Sequence, residues 1–159
     1  MIIFINGPIN SGKSTVAKLL SEKLKRSALV EIDNLHSFIA WMEIDEAVPI
    51  NLENAVAVIK NFAKRGLDVI VPYPLSLKNY DYIMENIKGL DERIYVFTLN
   101  PKKGKALSDT KERKLNDWEK NRIEYHYKIG INAPSFGKII DNTDQTPEET
   151  VSAILQEVG

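Results

Sequence analysis

The stretch Gly7-Pro8-Ile9-Asn10-Ser11-Gly12-Lys13-Ser14 constrains this chain more than any other part of it. It fits the phosphate-binding loop pattern G-x-x-x-x-G-K-[ST] at every fixed position. Ahead of it runs Ile2-Ile3-Phe4-Ile5, a β-branched and aromatic run that reads as a buried strand. Behind it, Val16, Ala17, Leu19, Leu20 and Leu24 recur at helical spacing among Lys18, Ser21, Glu22 and Lys23. The motif therefore sits on a strand, a tight loop and a helix, the setting in which it works.

The chemistry follows from that geometry. Gly7 and Gly12 permit backbone angles that turn successive N–H groups of the Pro8, Ile9, Asn10 and Ser11 loop toward one anion. The helix starting near Lys13 adds its unpaired N–H groups and positive dipole end. Lys13 reaches the β- and γ-phosphates, and the Ser14 hydroxyl ligates magnesium. Thr15 adds a neighbouring hydroxyl to the nucleotide-binding set, its individual part unassigned by the motif. The expected ligands are a nucleoside triphosphate and Mg2+.

Composition narrows the remaining possibilities. One α/β domain over residues 1–159 is the natural expectation for this length. Acids and bases nearly cancel, 22 against 21, so no global field points to nucleic acid or an anionic membrane. The chain has no cysteine, which excludes disulfides and thiolate chemistry, and two histidines alone cannot build a zinc site of usual ligand count. No apolar run reaches membrane-spanning length, and Met1-Ile2-Ile3 lacks the basic flank of a signal peptide. A soluble cytoplasmic protein is the default expectation.

Strand-like and helix-like segments alternate, which argues for a mostly parallel sheet covered by helices on both faces. Leu29-Val30-Glu31-Ile32 reads as a second strand ending at Asp33, with a helix from about Leu35 to Met42. Pro49 and Asn51 mark a new helix start, with a stripe of Ala55, Val58, Ile59 and Phe62 ending before Gly66. Val69-Ile70-Val71 is a central strand stopped by Pro72-Tyr73-Pro74, and Ser76 caps a helix carrying Tyr80, Ile83, Met84 and Ile87. Ile94–Phe97 and Lys138–Ile140 are the last strands. Thr146-Pro147-Glu148-Glu149 opens the final helix with a cap, a first-position proline and a capping-box glutamate.

Three features beyond the loop point to a reaction. Asp33, at the carboxyl end of the second strand, should face the triphosphate across the crevice where parallel sheets gather ligands. There it can take a proton from a hydroxyl or hold magnesium through water, and it can equally cap the next helix. Between Pro101 and Lys114, six basic residues (Lys102, Lys103, Lys105, Lys111, Arg113, Lys114) face only Asp109 and Glu112. With few large apolar residues, this stretch reads as a mobile lid at about 101–117. Arg113 and Arg122 present planar forks suited to phosphate, or pair with Glu112, Glu119 or Glu124 on a helix face. Trp118, Tyr125 and Ile129 form the packing face of that helix, with His126 a structural residue. Third, the polar turn Asp141-Asn142-Thr143-Asp144-Gln145 can border the purine, with Asn142 the candidate contact.

With these residues in view, the chain resembles the P-loop small-molecule kinases, the group of adenylate, shikimate and gluconate kinases and chloramphenicol phosphotransferase. The resemblance is highly specific at Gly7 to Thr15 and looser at Asp33, Arg113, Arg122 and Ile139–Glu149. It implies a P-loop three-layer sandwich with a five-stranded parallel sheet in the order 2-3-1-4-5, transfer of the ATP γ-phosphate, and closure of a small lid. By the same resemblance Lys13, Asp33, Arg113 and Arg122 carry the catalysis, and Ser14 with Asp33 holds the magnesium. Val71-Pro72-Tyr73-Pro74 replaces the Asp-Gly-Phe-Pro-Arg type segment of nucleoside monophosphate kinases and the glycine run of shikimate kinases, which disfavours both substrates. The guanine-reading Asn-Lys-x-Asp motif is absent, which favours ATP over GTP. His36, Phe38, Trp41, Met42, Tyr73 and Leu75 are the candidate acceptor pocket, suited to an uncharged or partly apolar alcohol. The expectation is thus an ATP-dependent kinase of a small hydroxylated molecule, an antibiotic, a sugar-like compound or a secondary metabolite. The alternatives are a nucleoside or nucleotide kinase and a regulatory ATP-binding or slow ATPase module.

Overall fold

The computed structural model describes residues 1–110 and 113–159; Lys111 and Glu112 of the basic stretch lie outside the described residues. Alternating apolar and turn-forming segments build strand β1 (Ile2–Asn6), helix α1 (Lys13–Lys23), β2 (Ser27–Leu29) and α2 (Ile32–Leu35). A 3-10 turn (His36–Ile39) leads to α3 (Ile44–Ala63), β3 (Asp68–Pro72) and α4 (Leu77–Ile87). Then come β4 (Ile94–Leu99), α5 (Lys103–Ala106), α6 (Asp117–Lys128), β5 (Lys138–Ile140) and α7 (Pro147–Val158).

The five strands form one parallel sheet in the order β2-β3-β1-β4-β5. The period-two geometry of a strand sorts β1 between two cores. Ile2 and Phe4 point to the face covered by α3 and α4, packing with Leu52, Ala55, Ile59, Ile83 and Ile87. Ile3 and Ile5 point to the other face, against Val16 and Leu20 of α1 and Val151 and Ile154 of α7. Burial on both faces explains why β1 and β3 read as unbroken apolar runs.

Several local signals act as expected. Gly66 takes φ +70 just beyond α3, and the Leu67 N–H donates to the Phe62 carbonyl (3.3 Å), a Schellman-type stop. The Ser76 side chain caps α4, and Thr146 with Glu149 completes a capping box on α7. The strand at 94–97 continues to Leu99.

Three expectations are corrected. The second strand lies earlier, at Ser27–Leu29, and although the Val30 N–H still donates to the Ile70 carbonyl (2.8 Å), the chain is already helical at Ile32. Asp33 therefore sits in the first turn of α2, where an acid favours the helix N-terminus, rather than at a strand end. Second, α3 begins at Ile44 and runs through Pro49 rather than starting there. Tertiary packing of Ala47, Leu52 and Ala55 outweighs the backbone bond that proline removes. Third, α6 buries Ile123 and His126, while Trp118, Tyr125 and Ile129 stay exposed. Its partners are Ala106 and Leu115, so the basic stretch carries its own small apolar cluster with Ile9, Leu107 and Tyr127 packed against it. Among the described residues, no helix is long and apolar enough to cross a membrane.

Candidate active site

The loop Gly7–Gly12 leaves β1 at the carboxyl edge of the sheet and turns back into α1. Gly7 has φ +143, and a Cβ there would meet the Leu99 carbonyl at 2.6 Å and Ser11 Oγ at 2.7 Å. Only glycine fits, because both the backbone angle and the space exclude a side chain. Asn10 (φ 62) and Gly12 (φ 92) also take left-handed angles, which coil the loop into a cup. Among the described residues, the N–H groups of Asn10, Gly12, Lys13, Ser14 and Thr15 have no hydrogen-bond acceptor. That is the arrangement of an anion-binding nest at a helix N-terminus.

The loop is braced from four sides. The Ile9 N–H donates to Nδ1 of His126 (3.2 Å), and Asn10 Nδ2 donates to the carbonyls of Ala106 (2.8 Å) and Ser108 (3.2 Å). Asn142 Nδ2 donates to the Ser11 carbonyl (2.9 Å). Asn6, fully buried, ties the loop's root to its surroundings. Its Nδ2 donates to Thr98 Oγ1 (3.0 Å) and the Ile131 carbonyl (3.2 Å), and its Oδ1 accepts from the Leu75 N–H (2.7 Å). Asn6 and the His126 bond went unassigned in the sequence because nothing local marks an asparagine or histidine as a brace for a loop made elsewhere. Asn142, the expected purine contact, has its amide nitrogen on the loop backbone.

A cavity of about 620 Å³ opens over the cup, lined by Ile9, Asn10, Lys13, Ser14, Asp33 and Arg113 among others. Lys13 Nζ donates to the Pro8 carbonyl (2.7 Å), arching the side chain over the loop. Burial lowers the Lys13 pKa to about 8, with Asp33 opposing and Arg113 reinforcing the shift. Confinement in the crevice raises the Asp33 carboxyl above its ordinary range, against the pull of Lys13. Arg113 Nη2 lies 2.5 Å from Glu119 Oε1, and that carboxylate also completes the capping box of α6. The pairing alternative thus holds for Arg113, although the residue still borders the cavity.

A second cavity of about 230 Å³ adjoins the first, between α2, α3, the segment after β3, and α6. Asp33 and Ile9 line both. His36 and Tyr73 of the expected acceptor set line it, together with Asn51, Trp118, Arg122 and His126. Phe38 and Trp41 do not: each is 81% exposed, carried outward by the 3-10 turn and the turn after it. Met42 is not among the lining residues either, and Leu75 is core. Arg122 has Asp45 3.9 Å away and lies over the Tyr125 ring, 5.1 Å from its centroid. Burial pushes the Tyr73 hydroxyl up to about 12, aided by Asp33, so it stays protonated. His126 is pushed down to about 4 by burial, Lys13 and Arg122, and stays neutral.

The donor set suits magnesium and a polyphosphate. The Ser14 hydroxyl and the Asp33 carboxylate are hard oxygen ligands beside a nest of N–H groups. Magnesium ordinarily takes one or two protein oxygens and fills its shell with phosphate and water. Among the described residues no group of three or more His, Asp or Glu forms an all-protein cage.

A parallel 2-3-1-4-5 sheet with a phosphate-binding loop after the first strand and a basic excursion after the fourth is the fold of the P-loop kinases. Solved structures match it along nearly the whole chain. A tunicamycin resistance protein from Deinococcus radiodurans superposes with a TM-score of 0.72 at 20% identity, covering 99% of this chain and 95% of that one. The APS kinase of Mycobacterium tuberculosis, solved in complex with AMPPNP and APS, gives 0.74 at 18% identity, covering 99% and 96%. In sequence, an adenylate kinase from Orientia tsutsugamushi (strain Boryong) is 29% identical over 114 residues, 63% of this chain and 52% of that protein. The chain thus spans about half the length of the curated relative it matches. No protein-family model matches the chain.

Proposed function

We propose that this chain is a phosphotransferase that moves the γ-phosphate of ATP to a hydroxyl of a small molecule. One observation carries the reading: Asp33 lines both the cavity over the phosphate-binding loop and the smaller cavity beside it. A carboxylate at that junction stands where a donor phosphate and an acceptor hydroxyl would meet. The similarity to an adenylate kinase and the shared fold with an APS kinase seen with AMPPNP support ATP as the donor.

In this reading the N–H groups of the loop and Lys13 bind and orient the phosphates. Ser14 and Asp33 would hold magnesium, which would supply neutralising charge to those phosphates. Asp33 takes the proton of the acceptor hydroxyl. The acceptor oxygen bonds to the γ-phosphorus as the bond to the β–γ bridging oxygen breaks, and that oxygen leaves with the electron pair on the nucleoside diphosphate. Arg113 and Arg122 flank the two cavities and supply positive charge as the lid of about 101–117 closes.

The test pairs two variants. Lys13→Ala should weaken ATP binding at least tenfold by calorimetry, and unchanged affinity would remove the basis for the loop's assigned role. Asp33→Asn should retain ATP affinity and lose phosphoryl transfer by about 10²–10⁴-fold. Transfer at the wild-type rate would strip Asp33 of its part as base.

A further inference from the structure

Asn51 and His36, which line the cavity beyond Asp33, each carry a buried polar atom with no hydrogen-bond partner among the described residues, Oδ1 of Asn51 and Nδ1 of His36. Asn51 is only 5% exposed and stands in the middle of α3, on the face that otherwise buries Ala47, Leu52, Ala55 and Val56. An unpaired amide oxygen there is destabilising relative to a satisfied one. A ligand hydroxyl that reaches the Asn51 amide at the cavity wall gives it a partner. The Tyr73 hydroxyl, on the same cavity wall, is available as a donor in return.

Charge and size restrict the ligand. Asp33 and Arg122 are lining residues of opposite formal charge that balance one another, and His126 beside them is held neutral. Arg122 has Asp45 3.9 Å away and the Tyr125 ring beneath it, and in the kinase reading its charge is directed to the transferred phosphate rather than to the acceptor. The 230 Å³ volume corresponds to about eight waters and falls below the ~300–1,000 Å³ of drug-sized sites. Trp118, 54% exposed, presents its ring at the rim, while Ile44 and Val48 add an apolar wall. A flat aromatic edge over polar groups suits a molecule with one C–H face and several hydroxyls.

We infer that this cavity is the acceptor subsite and takes a compact, uncharged polyhydroxylated molecule of monosaccharide size, one hydroxyl facing Asp33 and another meeting the Asn51 amide. The inference rests on the kinase reading above, and the transferred group and proton follow the balance given there. Asn51 and Trp118 then set specificity, one by satisfying a hydroxyl and the other by covering the ring.

The full chain with Mg·ATP is assayed against glucose, ribose, xylitol and myo-inositol, with AMP and gluconate as anionic comparators. ADP release and product mass are read together, with tryptophan fluorescence reporting binding. A neutral polyol should gain one phosphoryl group. Asn51→Leu should raise its KM at least tenfold while the KM for ATP stays put, and Phe38→Ala, outside the cavity, should change neither. Should Asn51→Leu fail to fold by circular dichroism, Trp118→Ala at the rim must show the same split. Preference for AMP or gluconate overturns the uncharged class. Polyol turnover with an unchanged acceptor KM in both Asn51→Leu and Trp118→Ala overturns the assignment of the cavity. ATP binding with no panel member bound or phosphorylated overturns it too. A wild-type chain that does not bind ATP sinks the kinase reading beneath it.

Discussion

Lys13 shows how much of this site's chemistry is decided by one side chain's surroundings. Its ammonium is held at a pKa of about 8 by burial, well below the ordinary lysine value of 10.5. A polyphosphate beside it would restore the charged form. At pH 8.5 more than half of the ligand-free protein carries neutral Lys13, so ATP binding there should take up protons, and affinity should fall up to tenfold per unit as pH rises beyond about 8. Calorimetry at that pH in two buffers of different ionisation enthalpy measures the uptake, and proton release on binding would contradict the assignment. The identity of this lysine was legible in the motif. Its altered acidity was not, because it arises from the loss of water in a folded crevice and from Arg113 nearby, against the opposing pull of Asp33. Arg113 is the complementary case. A basic stretch advertises phosphate, but the pairing with Glu119 depends on α6 folding back beside it.

At the scale of elements, Asn6 is the joint that keeps the site's loops in register. One buried amide holds β4 through Thr98, the segment before β5 through Ile131, and the segment after β3 through Leu75. Asn6→Ala leaves three polar groups unpaired and opens a small void. It should cost about 2–4 kcal/mol, checked as a shift in urea midpoint at constant slope. Elements whose ends carry chemical markers were readable in advance: Ser76 before α4, and Thr146, Pro147 and Glu149 at α7. Those whose ends depend on packing were not. The run from Ala28 to Ile32 is apolar enough for a strand, yet Ile32 spends its burial in α2. Pro49 looks like a helix start and sits six residues inside one. On α6, Trp118, Tyr125 and Ile129 share a helical face as well as Ile123 and His126 do, and periodicity alone cannot say which face meets Ala106 and Leu115.

For the whole molecule, acidity should loosen the site and the fold together. His126 is 2% exposed, neutral, and accepts the Ile9 N–H. With a folded pKa of about 4 against 6.5 unfolded, the unfolded chain binds more protons between those values. The stability this residue contributes is therefore whole above pH 6.5 and is lost as pH falls through 4, a loss of about 3 kcal/mol. Asp33, raised in the fold, acts in the opposite sense in the carboxylate range. Thermal denaturation from pH 7 to 4.5 should show a falling midpoint, and His126→Gln, which keeps an acceptor but does not titrate, should flatten that slope. An unchanged slope would mean the histidine is not the titrating group. By itself the amino-acid sequence determined the loop and the caps, because left-handed glycines and helix termini are governed by neighbours along the chain, and the sheet order was legible only through the family resemblance that the loop carries. Only the tertiary structure decided that Asp33 joins two cavities, that Asn51, which lines one of them, is left unsatisfied, and that Phe38 and Trp41 face away. Those outcomes depend on which faces of distant helices come together, and burial, unlike backbone propensity, is a property of the assembled whole.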